Sequence, residues 1–329
     1  MQKISPRSVR ALGLAAAAAL LAAGASTAAA QQAVTGYGVT GNGVLFRFNA
    51  DQPNAVTTIG NLGIQPEAID FRPLTAATQG GNPVLYAIDV GPTNTQVYTV
   101  NPNTAAITPV GPGFASQVAG SYNLLNQDIG FDFNPTTLQG DQSARIRVTA
   151  SGGSNLRLNS STGGIAAIDT PLAYAAGDPN TGAPSVGASA YINSNVLVPA
   201  AGGTTVLYDV DFRTNALATQ VPPNSGTLNT VGALGVDVGS GVGFDIFTAP
   251  GSSDSTIGGD RGLLVARTEG SNTYNLYQVN LATGQITSAG PVGGGLDFLG
   301  GFAVVPEPAS AALLLAAVPA LGLLRRRRR

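Results

Sequence analysis

The chain has 329 residues, with 44 Gly and 21 Pro but no Cys, His or Trp, and only 10% of its residues are charged. The absence of Cys and His excludes disulfides, thiolate or imidazole metal ligands, a cysteine nucleophile and a Ser-His-Asp triad. Residues 31–305 carry eight Arg, no Lys and 17 acidic residues, a formal charge of −9 that argues against nucleic-acid binding. Abundant Gly and Pro among spaced β-forming residues are typical of a turn-rich all-β protein.

Residues 1–30 are predicted to be a secretory signal peptide. A basic segment, residues 1–10, precedes an apolar run at residues 11–25 that is too short to span a bilayer. Small residues follow, so we expect signal peptidase to recognise Ala28 and Ala30 and to cleave before Gln31. The mature chain is therefore expected outside the cytoplasm.

Residues 31–304 are built from repeats. One repeated pattern is an alternating apolar strand that ends in Asn and leads through a small polar turn to a second strand, at residues 45–49, 97–101, 155–159 and 276–280. The alternation with a period of two and the Asn-containing turns predict β-hairpins. Additional short strands are predicted at residues 85–88, 145–148, 206–210 and 263–266.

A second pattern precedes these hairpins and places an Asp between apolar residues. It contains Asp70, Asp132, Asp245 and Asp297, and residues 190–193 occupy the remaining position without an Asp. Successive copies lie 52 to 62 residues apart, which is near the scale of known propeller repeats.

The repeats predict a five-bladed β-propeller with four strands in each blade. The chain begins with three strands of one blade and ends, near residues 294–304, with the strand that this blade lacks, so both termini would close the ring. The alternatives are a pair of β-sandwiches, or two domains that divide at the linker-like residues 177–184.

This body also resembles a bacterial exported domain of unknown function over nearly its whole length. The resemblance rests on residues 128–135, 155–157, 207–211, 223–232 and 243–246. It implies a fold and no established activity.

The repeated Asp residues are the candidate site. Inner strands line the channel of a propeller, so Asp70, Asp132, Asp245 and Asp297 would converge there. Converging carboxylates would bind Ca²⁺, the one candidate cofactor, or would act as the acid and base of a glycoside hydrolase. The structural alternative is that each Asp accepts backbone N–H groups of its own blade.

Two further groups of side chains have structural and binding interpretations. Arg145, Arg147 and Arg157 would hold an anionic sugar, or would pair with acids such as Asp128 and Asp132. Five tyrosines would stack on sugar rings or fill blade interfaces, namely Tyr86, Tyr98, Tyr208, Tyr274 and Tyr277.

Residues 305–329 form a tail with three parts. Pro306, Glu307 and Pro308 come first, and a 16-residue apolar stretch follows at residues 309–324. The tail ends in a basic cluster of Arg325, Arg326, Arg327, Arg328 and Arg329. As a helix the stretch would reach about 24 Å, short of the roughly 30 Å hydrocarbon core, so its contact with the inner membrane would be transient or it would form a marginal single-span anchor.

The tail resembles the PEP-CTERM sorting signal of Gram-negative bacteria, with its three parts in order. The resemblance implies recognition by an exosortase, removal of the tail, and delivery to the cell surface or the extracellular polysaccharide matrix.

Two classes of function remain. The first is a non-catalytic surface or matrix component that binds polysaccharide, Ca²⁺ or a surface protein. The second is a carboxylate-based hydrolase of extracellular glycan. The mature body offers only Glu67 and Glu269 as Glu, and neither lies in a recognisable motif. The first class is favoured.

Overall fold

The computed structural model describes residues 34–73, 84–135, 144–192, 205–248, 260–294 and 301–306, so the predicted signal peptide and the part of the predicted sorting tail beyond Pro306 lie outside it. No helix within these ranges has the length and apolar character needed to cross a membrane.

The strands are β1 Val34–Val39, β2 Val44–Asn49, β3 Gln52–Asn61, β4 Ala68–Arg72, β5 Val84–Val90, β6 Asn94–Val100, β7 Ile107–Ala115, β8 Gln117–Val118, β9 Tyr122–Asn123, β10 Ile129–Phe133, β11 Arg145–Ala150, β12 Asn155–Asn159, β13 Ile165–Ile168, β14 Ala173–Tyr174, β15 Val186–Tyr191, β16 Leu207–Asp211, β17 Ala216–Gln220, β18 Thr227–Ala233, β19 Gly243–Thr248, β20 Asp260–Arg267, β21 Tyr274–Val279, β22 Ile286–Pro291 and β23 Phe302–Pro306. A short 3-10 helix, Pro223–Ser225, lies between β17 and β18.

The strands form five antiparallel blades. Blade 1 has the order β23-β1-β2-β3, blade 2 is β4 to β7, blade 3 is β10 to β13, blade 4 is β15 to β18, and blade 5 is β19 to β22. Strand β14 adds to the outer edge of blade 4 by parallel pairing with β18. Strands β8 and β9 make a small separate hairpin.

The five innermost strands close a ring. Strand β4 contacts β10, β10 contacts β15, β15 contacts β19, β19 contacts β23, and β23 contacts β4. Blade 1 is completed by both ends of the body, because β1 pairs with β23 from Val34 opposite Pro306 to Gly38 opposite Phe302. The predicted five-bladed propeller with its shared blade is confirmed.

The sandwich and two-domain alternatives are wrong, because the supposed linker is part of the ring. Residues 177–184 run from the edge of blade 4 to its inner strand. Asp178 anchors them by accepting hydrogen bonds from the backbone N–H of Thr230 at 2.7 Å and from its hydroxyl at 2.6 Å.

The repeated Asn residues explain why the third strand of four blades ends where it does. The side-chain oxygen of Asn49 accepts the N–H of the residue two positions on, at 2.8 Å. The same turn occurs at Asn101, Asn159 and Asn280, at 2.9, 2.9 and 3.0 Å. This local bond replaces the next ladder bond and reverses the chain toward the outer strand.

Four of the five contacts between neighbouring blades are filled by apolar side chains. One buried cluster joins blades 1 and 2, and others join blades 2 and 3, blades 4 and 5, and blades 5 and 1. Blades 3 and 4 meet differently, through a contact that we call the polar seam. Its members are Arg147, Thr149, Asn155, Asp169, Ser189, Tyr191, Asp209, Gln220 and Asn224.

The tight packing between blades 4 and 5 predicts a strong effect of one glycine substitution. Gly284 has φ +80°, and a Cβ there would lie 2.4 Å from the carbonyl oxygen of Gly232 in the neighbouring blade. We expect Gly284→Ala to lower the free energy of unfolding by about 3 kcal/mol or more, from backbone strain and overpacking together.

Gly270 provides the matched control, because it has φ +78° and open space where its Cβ would lie. Gly270→Ala should lower the free energy of unfolding only through backbone strain, by about 1–2 kcal/mol. Denaturant unfolding of both variants measures the difference. If both variants lose the same free energy of unfolding, the close approach of blades 4 and 5 leaves room for a Cβ at residue 284.

Candidate carboxylate site in the central channel

Three of the four predicted Asp residues lie at equivalent places on inner strands. Asp70 is in β4, Asp132 in β10 and Asp245 in β19, each flanked by apolar residues that pack between blades. Successive side chains of a strand point to opposite faces. Because the apolar neighbours of each Asp lie on one face of the strand, the Asp lies on the other.

The three carboxylates converge in the channel. Each offers an oxygen within 4.8 Å of an oxygen of the other two. Each residue is only 6% exposed, so the three charges would be close together and shielded from bulk water. We call Asp70, Asp132 and Asp245 the carboxyl triad.

Each member of the triad also joins its blade to the next one. The Asp70 carboxylate accepts the N–H of Phe71 in its own strand at 2.7 Å and that of Phe133 in blade 3 at 2.9 Å. Asp132 accepts the N–H of Tyr191 in blade 4. Asp245 accepts the N–H of Val304 in blade 1, at 2.7 Å. The sequence presented convergence and bonding to the N–H groups of the same blade as alternatives. The carboxylates converge, and they also accept N–H groups, but each of them accepts one from the next blade.

The same pattern identifies the equivalent positions in the two remaining blades. The residue before Tyr191 is Ala190, and the residue before Val304 is Ala303, so these alanines occupy the Asp position in blades 4 and 1. Asp297 lies outside the described residues. The described inner strand of blade 1 is Phe302–Pro306.

Burial and mutual repulsion raise the pKa values of the triad. Desolvation, then the charge of Asp245, raises the pKa of Asp70 well above its usual value. Desolvation, then the charges of Asp70 and Asp245, does the same to the pKa of Asp132. Desolvation raises the pKa of Asp245 to about 7. At neutral pH the triad therefore favours shared protons or a bound cation over three bare charges.

A divalent cation fits this donor set. Carboxylate oxygens are the ligands that Ca²⁺ prefers, and three Asp side chains supply up to six of the six to eight oxygens it takes. The backbone N–H bonds orient these carboxylates without using all of their lone pairs.

The arginines of blade 3 pair with an acid that the sequence did not single out. Arg157 makes a bidentate ion pair with Asp169, with both N–O distances 2.8 Å, and Arg147 contacts the same carboxylate at 2.7 Å. Burial alone would raise the pKa of Asp169, but the bonds from Arg157 and Arg147 hold it below the usual value.

Arg147 and Arg157 therefore pair with an acid, as one interpretation predicted, but the acid is Asp169 and not Asp128 or Asp132. Asp128 accepts the N–H of Gly241 at 3.0 Å, and Asp132 accepts the N–H of Tyr191. Arg145 also has an interaction partner. Asp169 follows β13 directly, and only the register of β12 against β13 brings it to both guanidinium groups.

The tyrosines mostly fill blade interfaces, as one interpretation of the sequence predicted. The Tyr86 ring lies edge-on to Phe133 of the next blade, with ring centroids 5.0 Å apart. Tyr208 and Tyr277 are buried between blades 4 and 5, and Tyr274 is buried between blades 5 and 1. Tyr98 is half-buried.

The closed ring of four-stranded blades around buried carboxylates defines the chain as a five-bladed β-propeller. The chain belongs to the family described as a domain of unknown function, DUF4394, whose model matches residues 44–303. No curated protein matches it.

Solved structures show distant likenesses. A candidate 6-phosphogluconolactonase from Bacteroides uniformis is 10% identical over 84% of this chain and 100% of its own, with a TM-score of 0.35. A protein from Lactobacillus plantarum is 10% identical over 83% of this chain and 99% of its own, with a TM-score of 0.38. TolB from Acinetobacter baumannii is 13% identical over 79% of this chain and 53% of its own, with a TM-score of 0.36. These values carry no inference about activity.

Proposed function

We propose that the protein is an exported, non-catalytic structural or binding module of the cell surface or extracellular matrix. The observation that carries this proposal is that the carboxyl triad is buried and bonded to the backbone of neighbouring strands. Its members are 6% exposed and accept backbone N–H groups of neighbouring strands. A glycoside hydrolase needs two carboxyl groups that reach the sugar, one as acid and one as base or nucleophile. The burial of the triad favours a role in holding the ring together.

The two ends of the sequence support export. Residues 1–30 have the composition of a signal peptide, and residues 305–329 resemble a PEP-CTERM tail. In the ring, Val34 and Pro306 are paired partners in adjacent strands. The first and last described strands of the ring are therefore neighbours in blade 1.

This proposal predicts that the tail is removed. Intact mass measurement of the protein released at the surface of a Gram-negative host should find a chain that begins at Gln31 and lacks the five terminal Arg residues. Replacing Pro306, Glu307 and Pro308 with Ala should leave the tail in place, because the expected recognition motif is lost. A matched triple replacement in the apolar stretch, Leu313→Val, Leu314→Val and Leu315→Val, should be processed normally. Recovery of wild-type protein with its full C-terminus would contradict the proposal.

A second candidate, a Ca²⁺-dependent binder of extracellular polysaccharide or of a surface protein, is favoured by the convergence of the triad. Millimolar Ca²⁺ should then raise the melting temperature by mass action, and Asp132→Asn should reduce that rise. The exposed Asp51 is the control, and Asp51→Asn should leave the rise unchanged. No rise in wild type would remove this candidate. A glycan array with and without Ca²⁺ would identify a sugar ligand.

A further inference from the structure

The polar seam contains two buried side-chain acceptors that have no partner among the described residues. Arg147 is 1% exposed and lies at its centre. Its guanidinium donates to Asn155 at 2.7 Å and Asp169 at 2.7 Å on blade 3, and to Asn224 at 2.8 Å on blade 4. The Arg147 Nε also donates to the hydroxyl of Tyr191, at 3.4 Å. Four of the five guanidinium N–H donors are thus committed.

The neighbouring donors on blade 4 are committed as well. The amide nitrogen of Gln220 donates to the carbonyl of Pro223 and to Asn155, the latter at 3.3 Å. The hydroxyl of Ser189 donates to Oδ1 of Asp209 at 2.5 Å, and Ser189 in turn meets the hydroxyl of Thr149 at 2.6 Å.

Within the polar seam, two acceptors have no partner among the described residues. They are Oδ2 of Asp209 and Oε1 of Gln220, and both side chains are fully buried. The strand register places Asp209 opposite Ala218 and Gln220 opposite Leu207, so the two side chains are diagonal neighbours on one face of blade 4. Tyr191, opposite Leu207 on the other side, completes the group. No described residue accepts its hydroxyl hydrogen.

We propose that one ordered water molecule binds in the polar seam between Asp209, Gln220 and Tyr191. A water molecule has two hydrogens and accepts further bonds, which matches two unpartnered acceptors and one unused hydroxyl hydrogen. Buried waters typically make about three such bonds. An anion does not fit, because both unpartnered atoms are acceptors and one of them belongs to a carboxylate. A metal cation is disfavoured because the Arg147 guanidinium contacts Tyr191 and Asn155 of the same group.

This water would hydrate the polar seam, whereas the described residues of the other four contacts between blades form apolar clusters. It would complete a chain of hydrogen bonds from Thr149 through Ser189 and Asp209 to Gln220. The proposal is independent of the export route and of any ligand in the channel.

A high-resolution crystal structure of the full chain, grown with Rb⁺ as the only monovalent metal, tests the proposal. We expect a density peak of water size about 2.8 Å from Asp209 Oδ2 and from Gln220 Oε1, with no anomalous signal. Gln220→Met, which keeps the side-chain length but removes the amide, should abolish the peak. Gln96→Met is the control, because Gln96 also donates to backbone carbonyls but lies in blade 2, and it should leave the peak intact.

Two results would overturn the proposal. One is an anomalous peak, which would show a bound cation. The other is a clear map without a peak, with the Asp209 and Gln220 side chains in direct contact.

Discussion

Removal of strand β23 is expected to destabilise the whole ring. A chain of residues 31–300 lacks the strand that pairs with β1 and that places Phe302 and Val304 in the cluster between blades 5 and 1. It also lacks the N–H of Val304 that Asp245 accepts. Loss of two buried side chains at about 1.5–3 kcal/mol each, together with an open ring, should lower the melting temperature by about 10 °C or more.

The matched control is a chain of residues 31–306, which lacks the same tail but keeps β23. It should melt like the full mature chain, in a single transition seen by both circular dichroism and calorimetry. Equal melting temperatures for the two truncations would show that the ring does not depend on its shared blade.

The second large effect is a loss of stability as pH rises. The pKa of a triad member is higher in the folded ring than in the unfolded chain, so the folded state binds more protons between the two values. The stabilisation is complete below the unfolded pKa, near 4, and disappears as pH rises through the folded pKa, which for Asp245 is about 7. From about pH 5 to about pH 8, Asp245 alone should account for about 3 kcal/mol.

Other buried acids reinforce this trend. Burial raises the pKa of Glu67 and that of Asp209 to about 7 as well. Asp169 acts in the opposite direction, because its lowered pKa contributes stability that is lost only in acid, below its unfolded value near 4. Maximum stability is therefore expected between about pH 4 and pH 6.

Two variants of Asp132 separate its charge from its hydrogen bond. Asp132→Asn removes the charge but keeps an oxygen for the Tyr191 N–H, so the decline in stability from about pH 5 to pH 8 should become shallower. Asp132→Ala removes both, and should cost about 1–3 kcal/mol for the unsatisfied N–H even in acid. Denaturant unfolding across pH measures both. A decline as steep in Asp132→Asn as in wild type would contradict the role assigned to the triad.

The ring was predictable from the sequence because its blades repeat a local pattern. Strand alternation and the Asn turns at Asn101, Asn159 and Asn280 depend on neighbouring residues only. The spacing of Asp70, Asp132 and Asp245 then indicated the inner strands. Convergence of these residues followed from propeller geometry and needed no contact information.

The inner strand of blade 1 was less predictable. Residues 296–298 repeat the apolar-Asp-apolar pattern, but the strand that pairs with β1 is Phe302–Pro306. This register places Phe302 and Val304 in one apolar cluster and Ala303 beside Tyr37 in another. Packing on both sides therefore determines the register, and a short motif does not contain that information.

The polar seam could not be derived from the sequence. The contacts of Arg147 come from Asp169, Tyr191 and Asn224, which are 22 to 77 positions away along the chain. Their meeting depends on the 3-10 turn of blade 4 and on the path of β14. The available signal was the run of Asp209 and Asp211 in a strand that is otherwise apolar.

The protonation of the carboxyl triad can be measured directly by a ¹³C NMR titration of the Asp side-chain carboxyl carbons. In the folded 31–306 chain without divalent cations, the carbons of Asp70, Asp132 and Asp245 should titrate as a coupled group. At least one midpoint should lie near 7. Titration of all three near pH 4, the usual range of an exposed carboxyl, would contradict a buried carboxyl triad at the centre of the ring.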